Sequence, residues 1–512
     1  MHIFLYGPSG AGKSTAGKIL AEALALPLVD VDAVIEQMAG DSIAALIRTR
    51  GEPFFRDLET AAVESAVSGP EAVVALGGGA LLREENRALV EANGQVVLLE
   101  ADVSTLTARL ARDPTERPLL AGDLEAKLSA LLAQRQEHYA SFSLRVDASQ
   151  PPERVAWEVQ RLVGRYHLRG MGPGYDVIVQ AGGLNRVGRM LQERHLGGPL
   201  LLVSDTNVAP HYAGRVLASL QAAGYPARQL VIPAGEAHKT IQTVMSLWRG
   251  ALEADLDRNS TILALGGGVV GDLAGFAAAT FMRGCNWVVL PTTLLAMADA
   301  SLGGKTAFDL PQGKNLVGAF HPPRLVLADP DTLATLPERE LRAGLAEVVK
   351  HGVIADPHLF ALCAGGWQAV ATRWSEIVRR GMAVKVEVIE ADPYEKGLRA
   401  ALNYGHTIDH AVELVSGFSL LHGEAVAIGM VAEARLAERL AVAGRGVSEA
   451  VAGALSALGL PVEIPQNLPR ADLIRALRVD KKRAAGAVRL ALPVRIGEVK
   501  TGVVVENLEE VL

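Results

Sequence analysis

The chain has 512 residues, a formal net charge of −7, 49% hydrophobic residues and two cysteines. This length predicts roughly three folding units, and the negative charge argues against a general nucleic-acid binder. Two cysteines cannot form a disulfide framework. The N-terminus does not resemble a signal peptide, and there is no apolar run of about 18 residues. We therefore expect a soluble, cytoplasmic protein that binds no membrane.

The first part of the chain alternates apolar runs with helical segments. The runs HIFLY, AVVAL and QVVLLE are separated by predicted helices at 55–66, 83–91 and 123–140. This alternation is typical of a parallel sheet with crossover helices. We therefore predict an α/β unit over 1–165, followed by a linker at 165–175 that contains glycine and proline.

A second series of apolar runs begins after this linker. The runs YDVIVQ, LLLVSD, ARQLVI, TILALGGG and NWVVLP predict the strands of another α/β unit, over 172–330. From about Pro337 the apolar spacing is mainly helical, and only VRLALPV and VKTGVVV predict late strands. The sequence thus predicts a third, mainly α-helical unit over 331–512.

The segment Gly7–Ser14 matches the phosphate-binding pattern G-x-x-x-x-G-K-[ST]. It follows a predicted strand and opens a predicted helix, which is the context that the pattern requires. Backbone amides can surround phosphate oxygens, Lys13 can reach the outer phosphates, and Ser14 can bind Mg²⁺. The segment therefore predicts a nucleotide site made by Gly10, Ala11, Gly12, Lys13, Ser14 and Thr15.

Residues further along the chain indicate an acceptor site. In VDVDAVIE, Asp30 and Asp32 lie on the same side of an extended segment, so one can organise Mg²⁺ and the other can accept a hydrogen bond from a hydroxyl. EPFFRDLE places Arg56 and Glu59 one helical turn apart. With three further segments, these residues resemble shikimate kinase over about 1–165: GGG at 77–79, RPLL at 117–120, and RQEHYA with Arg135 and Tyr139.

This resemblance implies ATP-dependent phosphorylation of shikimate to shikimate 3-phosphate. Ser14 and Asp30 would support Mg²⁺, while Lys13 and Arg117, the latter in a lid, would neutralise the transferred phosphoryl group. Shikimate would be bound by Asp32, Arg56, Gly78 and Arg135. A gluconate-type kinase is the alternative, and the paired arginines, which suit a carboxylate, disfavour it.

A second resemblance covers the rest of the chain. LALGGGVVGDLAGFAAATFMRG places a glycine cluster between a predicted strand and an Ala-rich helix, which alone is a weak dinucleotide signal. In order and spacing, it and four further segments resemble 3-dehydroquinate synthase over about 172–512: PAGEAHKT (233–240), LPTTLLAMADASLGGKTAFDLPQGKN (290–315), LRAGLAEVVKHG (341–352) and LNYGHTIDHAVELVSGFSLLHGEAV.

Three histidines in the last of these segments are candidate metal ligands. His406 and His410 are four residues apart, so spacing alone favours them as a pair on one helical face. The resemblance instead implies Glu347, His406 and His422 as ligands of Zn²⁺ or Co²⁺, with His410 acting from outside the ligand set. One carboxylate and two imidazoles leave positions open for a substrate, as in catalytic metal sites.

The same resemblance implies an NAD- and metal-dependent cyclisation of 3-deoxy-D-arabino-heptulosonate 7-phosphate to 3-dehydroquinate, with release of phosphate. NAD would be contacted by Asp205, Glu236, Lys239, Gly267, Gly268, Asp272, Thr292, Thr293 and Lys314. Catalytic roles would fall to Asp299, Lys305, Lys350, Arg399 and His410, and substrate contacts to Arg283, Asn315, Lys385 and either Lys481 or Lys482. Ala300 departs from the family's paired serines, but Asp299 and Lys305 remain, so we expect activity.

Three alternatives remain for this part of the chain. A metal-dependent alcohol or glycerol dehydrogenase would release NADH, and a sister sugar-phosphate cyclase would make another carbocycle. The lysine and arginine set suits a phosphate and a carboxylate and argues against the dehydrogenase. A purely regulatory or assembly role for one half conflicts with complete motif sets in both.

We expect a bifunctional enzyme of aromatic amino-acid biosynthesis that forms a homodimer through the synthase part, with Arg283 offered by the neighbouring subunit.

Overall fold

The computed structural model describes residues 1–113, 123–395, 397–483 and 488–505. The chain divides into two compact units, Met1–His167 and Leu168–Leu512. Each unit has its own parallel sheet and its own buried clusters of apolar side chains. Within the described ranges, no helix is both long and apolar enough to cross a membrane.

The first unit is built on a five-stranded parallel sheet. Its strands are β1 (His2–Tyr6), β2 (Leu28–Asp30), β3 (Val73–Ala75), β4 (Gly94–Glu100) and β5 (Arg145–Asp147). Their order is β2-β3-β1-β4-β5. Along β1, Ile3 and Leu5 belong to one buried cluster, whereas Phe4 and Tyr6 belong to another. A central strand covered on both faces is thus the reason for the nearly all-apolar run HIFLY.

Helices cover both faces of this sheet. They are α1 (Lys13–Ala23), α2 (Val31–Ala39), α3 (Ile43–Arg50), α4 (Glu52–Ser68), α5 (Glu84–Asn93), α6 (Val103–Leu110), α7 (Leu124–Gln134), α8 (Gln136–Ala140) and α9 (Pro152–Val163). The stretch predicted as helical over 123–140 is helical but is divided into α7 and α8 at Arg135. Arg135 has a non-helical conformation (φ −101°, ψ 6°) that ends α7, and its guanidinium bonds to the carbonyl oxygen of Gly78.

Strand β6 (Arg165–Leu168) lies within the predicted linker and contains the boundary between the units. The following strands are β7 (Tyr175–Val179), β8 (Leu200–Asp205), β9 (Ala227–Ile232), β10 (Thr261–Gly266), β11 (Asn286–Pro291), β12 (Lys305–Leu310), β13 (Gly313–Phe320), β14 (Leu325–Ala328), β15 (Val488–Arg495) and β16 (Glu498–Val505). Parallel strands lie in the order β7-β14-β11-β10-β8-β9, while β12-β13 and β15-β16 are antiparallel hairpins. The five early runs and both late runs predicted as strands are confirmed, but β12, β13 and β14 were not predicted.

The second unit has four helices among its sheet strands and a helical part after them within the described chain. The first group is α10 (Val187–Glu193), α11 (Ala209–Ala222), α12 (Ile241–Glu253) and α13 (Gly268–Thr280). The second group is α14 (Glu338–Ile354), α15 (Pro357–Ala364), α16 (Trp367–Val370), α17 (Trp374–Ala391), α18 (His406–Val415), α19 (His422–Arg439), α20 (Val447–Ala457) and α21 (Arg470–Arg483). Each unit places a glycine-rich turn after a buried strand, at the carboxyl edge where open α/β sheets bind ligands.

Candidate functional sites

The predicted phosphate-binding loop connects β1 to α1. Gly7 has a φ of +141°, and a Cβ there would overlap the carbonyl oxygen of Leu99, so glycine is required at this turn. Lys13 bends back over the loop, because its Nζ donates to the carbonyl oxygens of Gly7 (2.8 Å) and Pro8 (3.0 Å). The ammonium group therefore lies beside the helix N-terminus, where anions are favoured.

Ser14 and Asp30 form a polar pair next to the loop. Ser14 Oγ donates to Asp30 Oδ2 (2.6 Å), and Asp30 Oδ1 accepts a hydrogen bond from the Asp32 amide (3.1 Å). A hydroxyl and carboxylate oxygens are the ligand types that Mg²⁺ prefers. The pair can therefore hold Mg²⁺ at the edge of the nucleotide loop.

The loop borders a cleft of about 510 Å³ in the first unit. Predicted residues that line this cleft are Gly10, Ala11, Gly12, Lys13, Ser14, Thr15, Asp30, Asp32 and Gly78. Arg109 of α6 also lines it and donates to the carbonyl oxygen of Ala148 (2.8 Å). Arg109 was not predicted, because an arginine on a helix has the same local pattern whether it faces a cleft or water.

Gly78 joins the nucleotide loop to the predicted acceptor residues. A Cβ on Gly78 would lie 3.3 Å from the Gly7 carbonyl oxygen, so the GGG turn packs directly on the loop. The Gly78 carbonyl oxygen accepts hydrogen bonds from Arg135 Nη1 (2.8 Å) and Tyr139 Oη (3.1 Å). Arg135 is therefore held close to the cleft.

Arg56 lies on the other side of the GGG turn. Its guanidinium forms ion pairs with Glu52 (2.9 Å) and the buried Glu59 (2.7 Å), and a Cβ on Gly79 would lie 2.8 Å from its Nη1. Burial raises the pKa of Glu59, although Arg56 opposes that shift. The fold thus brings both predicted shikimate arginines to one turn, while Arg117 lies outside the described residues.

Three side chains from separate helices converge in the second unit. Glu347 lies in α14, and His406 and His422 are the first residues of α18 and α19. The Nε2 atoms of His406 and His422 are 3.7 and 3.6 Å from Glu347 Oε1. Glu347 is fully buried; its Oε2 pairs with Lys350, whereas its Oε1 is the atom that faces the two imidazoles. A buried carboxylate oxygen that faces two imidazoles fits a divalent metal such as Zn²⁺ or Co²⁺.

The electrostatics of these three groups differ. Burial raises the pKa of Glu347, but Lys350 and the imidazoles more than offset it and hold the pKa well below its usual range. Burial, and then the charge of Lys350, lowers the pKa of His406 to about 3. Burial also lowers the pKa of His422, but the carboxylates of Glu347 and Glu413 raise it to about 10. Glu347 and His406 are already in metal-binding forms, whereas His422 must first lose a proton.

A second cluster of ligand-type groups lies on the other side of Glu347. Asp299, Glu347 and His351 place one ligand atom each within 4.8 Å of one another. Lys385 Nζ lies 2.6 Å from Asp299 Oδ1, and Lys350 forms an ion pair with Glu347 Oε2. Because Lys385 neutralises Asp299, and Lys350 occupies the Oε2 side of Glu347 while Oε1 faces the imidazoles, we assign no metal to this cluster.

Close packing sets the distance between α19 and α14. Gly423 is the second residue of α19, and a Cβ there would overlap the carbonyl oxygen of Ala343 in α14. Ala343 lies one helical turn before Glu347. The contact therefore controls how closely His422 approaches that carboxylate.

Gly423→Ala is expected to weaken the binding of a divalent metal at least about tenfold, because ligand groups must be held within about 0.5 Å. The measurement is Zn²⁺ affinity from competition with a chromophoric chelator. Gly453→Ala in α20 is the matched control, because its added Cβ meets nothing within 4 Å among the described residues. Unchanged affinity in Gly423→Ala would show that the helices can separate without disturbing the ligands.

Two further contacts fix the start of α18, which carries His406. A Cβ on Gly429 of α19 would overlap the carbonyl oxygen of Gly405, which precedes α18 and has a φ of +87°. Glu433 of α19 is fully buried and accepts hydrogen bonds from the amides of Gly405 (2.7 Å) and Thr407 (3.2 Å). Glu433 thus caps the helix whose first residue is His406. It was not predicted, since its partners are distant in sequence.

Cationic side chains lie next to the three-residue metal candidate. Lys385 and Arg399 are buried, and Lys385 Nζ donates to both the carbonyl oxygen (2.5 Å) and Oδ1 (2.6 Å) of Asp299. Arg399 Nε lies 3.2 Å from Glu395 Oε1, and Lys305 pairs with the same carboxylate. Two cations thus share one carboxylate, which leaves positive charge suited to a phosphate or carboxylate.

A cleft in the second unit has a volume of about 1410 Å³. All nine residues predicted to contact a dinucleotide line it: Asp205, Glu236, Lys239, Gly267, Gly268, Asp272, Thr292, Thr293 and Lys314. Asp299, Asn315, His410 and His422 line the same cleft. One metal-candidate histidine and the glycine-rich turn therefore face a common space, as a shared substrate and cofactor site requires.

Polar contacts connect the predicted dinucleotide and substrate residues. Lys239 Nζ lies 2.6 Å from Asp272 Oδ2 and donates to Asn315 Oδ1 (2.5 Å). Lys314 Nζ is 3.8 Å from Glu236 Oε1. Burial raises the pKa of Asp272, although Lys239 opposes this. The carboxylates at this edge can accept hydrogen bonds from ribose hydroxyls.

Of the other predicted residues, Lys305, Lys350, Lys385 and Arg399 do not line this cleft within the described chain, whereas His410 does. Arg283 does not line the cleft within the described chain, and it follows Met282 in a turn where both have positive φ (48° and 69°). The side chain of His410 is 63% exposed, and its ring lies 6.0 Å from that of His406. The side chains of Lys481 and Lys482 are outside what the structure describes.

Three family models match consecutive parts of the chain. Residues 9–163 match shikimate kinase, 229–343 match the N-terminal domain of 3-dehydroquinate synthase, and 344–483 match its C-terminal domain.

Curated relatives match the second unit. A 3-dehydroquinate synthase of Synechococcus sp. is 46% identical over 349 residues, which cover 66% of this chain and 95% of the relative. A 3-dehydroquinate synthase of Symbiobacterium thermophilum is 49% identical over 335 residues, which cover 64% of this chain and 92% of the relative.

Two similar solved structures hold NAD⁺ and a metal. A 2-deoxy-scyllo-inosose synthase complexed with carbaglucose-6-phosphate, NAD⁺ and Co²⁺ has 28% identity and a TM-score of 0.62, covering 68% of this chain and 98% of its own. The 2-epi-5-epi-valiolone synthase ValA of Streptomyces hygroscopicus, with NAD⁺ and Zn²⁺ bound, has 31% identity and a TM-score of 0.58, covering 66% of this chain and 94% of its own.

Proposed function

This chain belongs to the 3-dehydroquinate synthase family and joins it to a shikimate kinase domain, and on that premise we propose which residues perform each reaction. It is a bifunctional enzyme of the shikimate pathway. One activity phosphorylates shikimate with ATP, and the other cyclises 3-deoxy-D-arabino-heptulosonate 7-phosphate to 3-dehydroquinate.

In the kinase unit, the chain's own groups position the reactants and balance charge. ATP with Mg²⁺ supplies the phosphoryl group. Ser14 and Asp30 hold the ion, and Lys13 binds the phosphate oxygens, with Arg117 completing the charge balance. Shikimate is bound around the Gly78 turn by Asp32, Arg56, Gly78 and Arg135. Phosphoryl transfer depends mainly on such alignment and neutralisation, so no covalent role for the protein is needed.

In the synthase unit, Glu347, His406 and His422 are proposed to hold Zn²⁺ or Co²⁺. The bound ion and NAD supply Lewis-acid polarisation and reversible hydride transfer. The Gly267 turn would hold the dinucleotide, and the acidic side chains Asp205, Glu236 and Asp272 would accept hydrogen bonds from its hydroxyls. The substrate's phosphate and carboxylate are bound by four cationic side chains together with the neutral amide of one asparagine: Lys305, Lys350, Lys385, Arg399 and Asn315. Asp299 holds Lys385 in place, and His410 faces the cleft as a candidate proton carrier.

One observation carries this proposal for the synthase unit. His422, Asp299 and the predicted dinucleotide residues line a single cleft of about 1410 Å³. Lys385 pairs with Asp299, and Lys305 and Arg399 share the single carboxylate of Glu395. A simple alcohol dehydrogenase has no need of cations for a phosphate and a carboxylate. This arrangement therefore favours a cyclase over the dehydrogenase alternative.

The decisive experiment supplies the seven-carbon keto-acid phosphate with NAD far below substrate concentration. Because the hydride returns to the substrate, NAD should act as a catalyst. We expect many inorganic phosphates released per NAD and no lasting rise in NADH absorbance, with 3-dehydroquinate identified by mass spectrometry. NADH that accumulates in proportion to product would restore the dehydrogenase, and a different carbocycle would indicate a sister cyclase.

We also propose that the synthase part forms a homodimer. Arg283 lies outside its own chain's cleft, in a turn with two consecutive residues of positive φ and the half-exposed Met282 beside it. Such a strained turn is maintained when it serves a specific contact. Arg283→Ala and Lys350→Ala should each be inactive alone, but mixing the two chains should restore up to about a quarter of the wild-type activity. About half of the mixed dimers are hybrids, and each hybrid has one of its two sites intact, because that site takes Lys350 from one chain and Arg283 from the other. No recovery in a confirmed mixed dimer would exclude a shared arginine.

We place the enzyme in the cytoplasm. Both cysteines, Cys285 and Cys363, are free and buried. Free thiols are typical of reducing compartments. Fractionation of the source cells would test this, and recovery outside the cytoplasm would contradict it.

A further inference from the structure

The two ring nitrogens of His422 face different partners. Its Nε2 lies 3.6 Å from Glu347 Oε1, on the side of the proposed metal. Its Nδ1 lies on the opposite edge of the ring and forms a hydrogen bond of 3.3 Å with Glu413 Oε1. A neutral imidazole that binds a metal through Nε2 carries its proton on Nδ1, and that proton needs an acceptor.

We infer that Glu413 is a positioning residue that holds His422 in the tautomer and orientation required for metal binding. This inference rests on the proposed metal site and adds to its three ligands a fourth residue that does not bind the metal. Glu413 accepts the Nδ1 proton and thereby directs the Nε2 lone pair toward Glu347. Its effect on the metal passes entirely through the imidazole of His422.

Helix geometry explains why α18 can supply this group. His406, Asp409 and Glu413 occupy positions i, i+3 and i+7 of α18 and therefore share one face. This face presents His406 toward Glu347 at one end and Glu413 toward His422 at the other. One helix thus provides a ligand and also the group that orients a second ligand on a neighbouring helix.

Two neighbouring residues fit this role less well. Asp409 Oδ2 is 3.6 Å from His422 Nδ1, but neither Asp409 oxygen makes a hydrogen bond within the described chain. His410 was expected to support the metal from outside the ligand set, yet its side chain is 63% exposed. Glu413 has the shorter contact with hydrogen-bond geometry, and its side chain is only 12% exposed.

The test measures metal affinity directly. The full chain is stripped with a chelator, and Zn²⁺ affinity is determined by competition with a chromophoric chelator for wild type, Glu413→Ala and Glu413→Gln. We expect Glu413→Ala to bind Zn²⁺ about 10–100-fold more weakly, as for other residues that orient metal-binding histidines. Glu413→Gln should lose less, because its amide oxygen still accepts the Nδ1 proton.

A matched control and a spectrum separate positioning from general damage. Glu438→Gln removes a charge from the same helix as His422, where Glu438 accepts a hydrogen bond from the Ser448 amide (2.8 Å). We expect its Zn²⁺ affinity to equal that of wild type. With Co²⁺ in place of zinc, the visible absorption of Glu413→Ala should change while that of the control should not, because only a reoriented ligand alters the metal's ligand field.

Reference variants distinguish failure of this inference from failure of the metal site. If His422→Ala loses its metal but Glu413→Ala binds Zn²⁺ like wild type, the positioning role is wrong and the metal site stands. If His422→Ala retains wild-type affinity, the proposed ligand set is wrong and the role of Glu413 falls with it. If Glu413→Ala does not fold, Glu413→Met decides, because it keeps the length of the side chain but offers no oxygen acceptor for the Nδ1 proton; wild-type affinity together with an unchanged Co²⁺ spectrum in that variant would overturn the inference.

Discussion

Lys13→Ala is expected to reduce shikimate phosphorylation on the order of 10²–10³-fold or more, while leaving cyclisation unchanged. Lys13 is the first residue of α1, and its ammonium group lies over the phosphate-binding loop. Removing it leaves developing charge on the transferred phosphoryl group without a fixed partner, and a single preorganised donor at such a position contributes this much. Separate assays of ADP formation with shikimate and phosphate release by the synthase measure both effects.

Lys18→Ala is the matched control for this experiment. Lys18 lies on the same helix, but its side chain is exposed, so the substitution removes the same charge without reaching the loop. We expect both activities to remain at the wild-type level. Equal loss of the two activities in Lys13→Ala would contradict the independence of the two sites, and retained kinase activity would contradict the role of Lys13.

His406→Ala and His422→Ala should each strip the metal from the synthase unit and abolish cyclisation. Each variant removes one of the imidazoles that lie 3.7 and 3.6 Å from Glu347 Oε1. The remaining two ligands cannot hold a catalytic metal in open tetrahedral geometry. His410→Ala should instead retain much of its metal, with affinity lowered by no more than about 10–100-fold, since it provides no bond to the ion.

Metal content of the purified variants decides between the two histidine assignments. Shikimate phosphorylation serves as an internal control, because it should stay at the wild-type level in all three variants. If His410→Ala loses its metal as completely as His406→Ala does, the spacing-based pair of His406 and His410 is correct and Glu347–His406–His422 is wrong.

Much of the fold could be predicted because its strands carry strong local signals. HIFLY became β1, and TILALGGG became β10, since a strand covered on both faces needs an almost uninterrupted apolar run. The hairpin of β12 and β13 was missed because most of β13 is exposed and lacks that pattern. The stretch predicted as helical over 123–140 is interrupted at Arg135, whose guanidinium donates to the Gly78 carbonyl oxygen. No local pattern in the sequence marks this interruption.

Some residues of the candidate sites could likewise be predicted from the sequence, and others could not. The phosphate-binding loop could be recognised from the sequence alone, because its chemistry depends on backbone amides and adjacent residues. The metal ligands could not be derived from spacing, which favours His406 with His410. Glu347 was predicted as a ligand only from the family resemblance. Glu433 and Glu413 were not predicted at all, because each forms its hydrogen bonds with residues outside its own helix.

The sequence by itself determined the nucleotide loop, the apolar runs that form β1, β3, β4 and β7–β11, and the family of each half. These depend on residues that are neighbours along the chain, so periodicity and motif spacing record them. Only the tertiary structure decided which histidines face Glu347, which carboxylate lies within hydrogen-bond distance of His422, and which cations share Glu395. The distances between the proposed ligands are set where α14, α18 and α19 pack together. At Gly423 and Gly429 this packing leaves no room for a side chain, because the backbone of a neighbouring segment lies too close. The sequence alone does not show where that backbone lies.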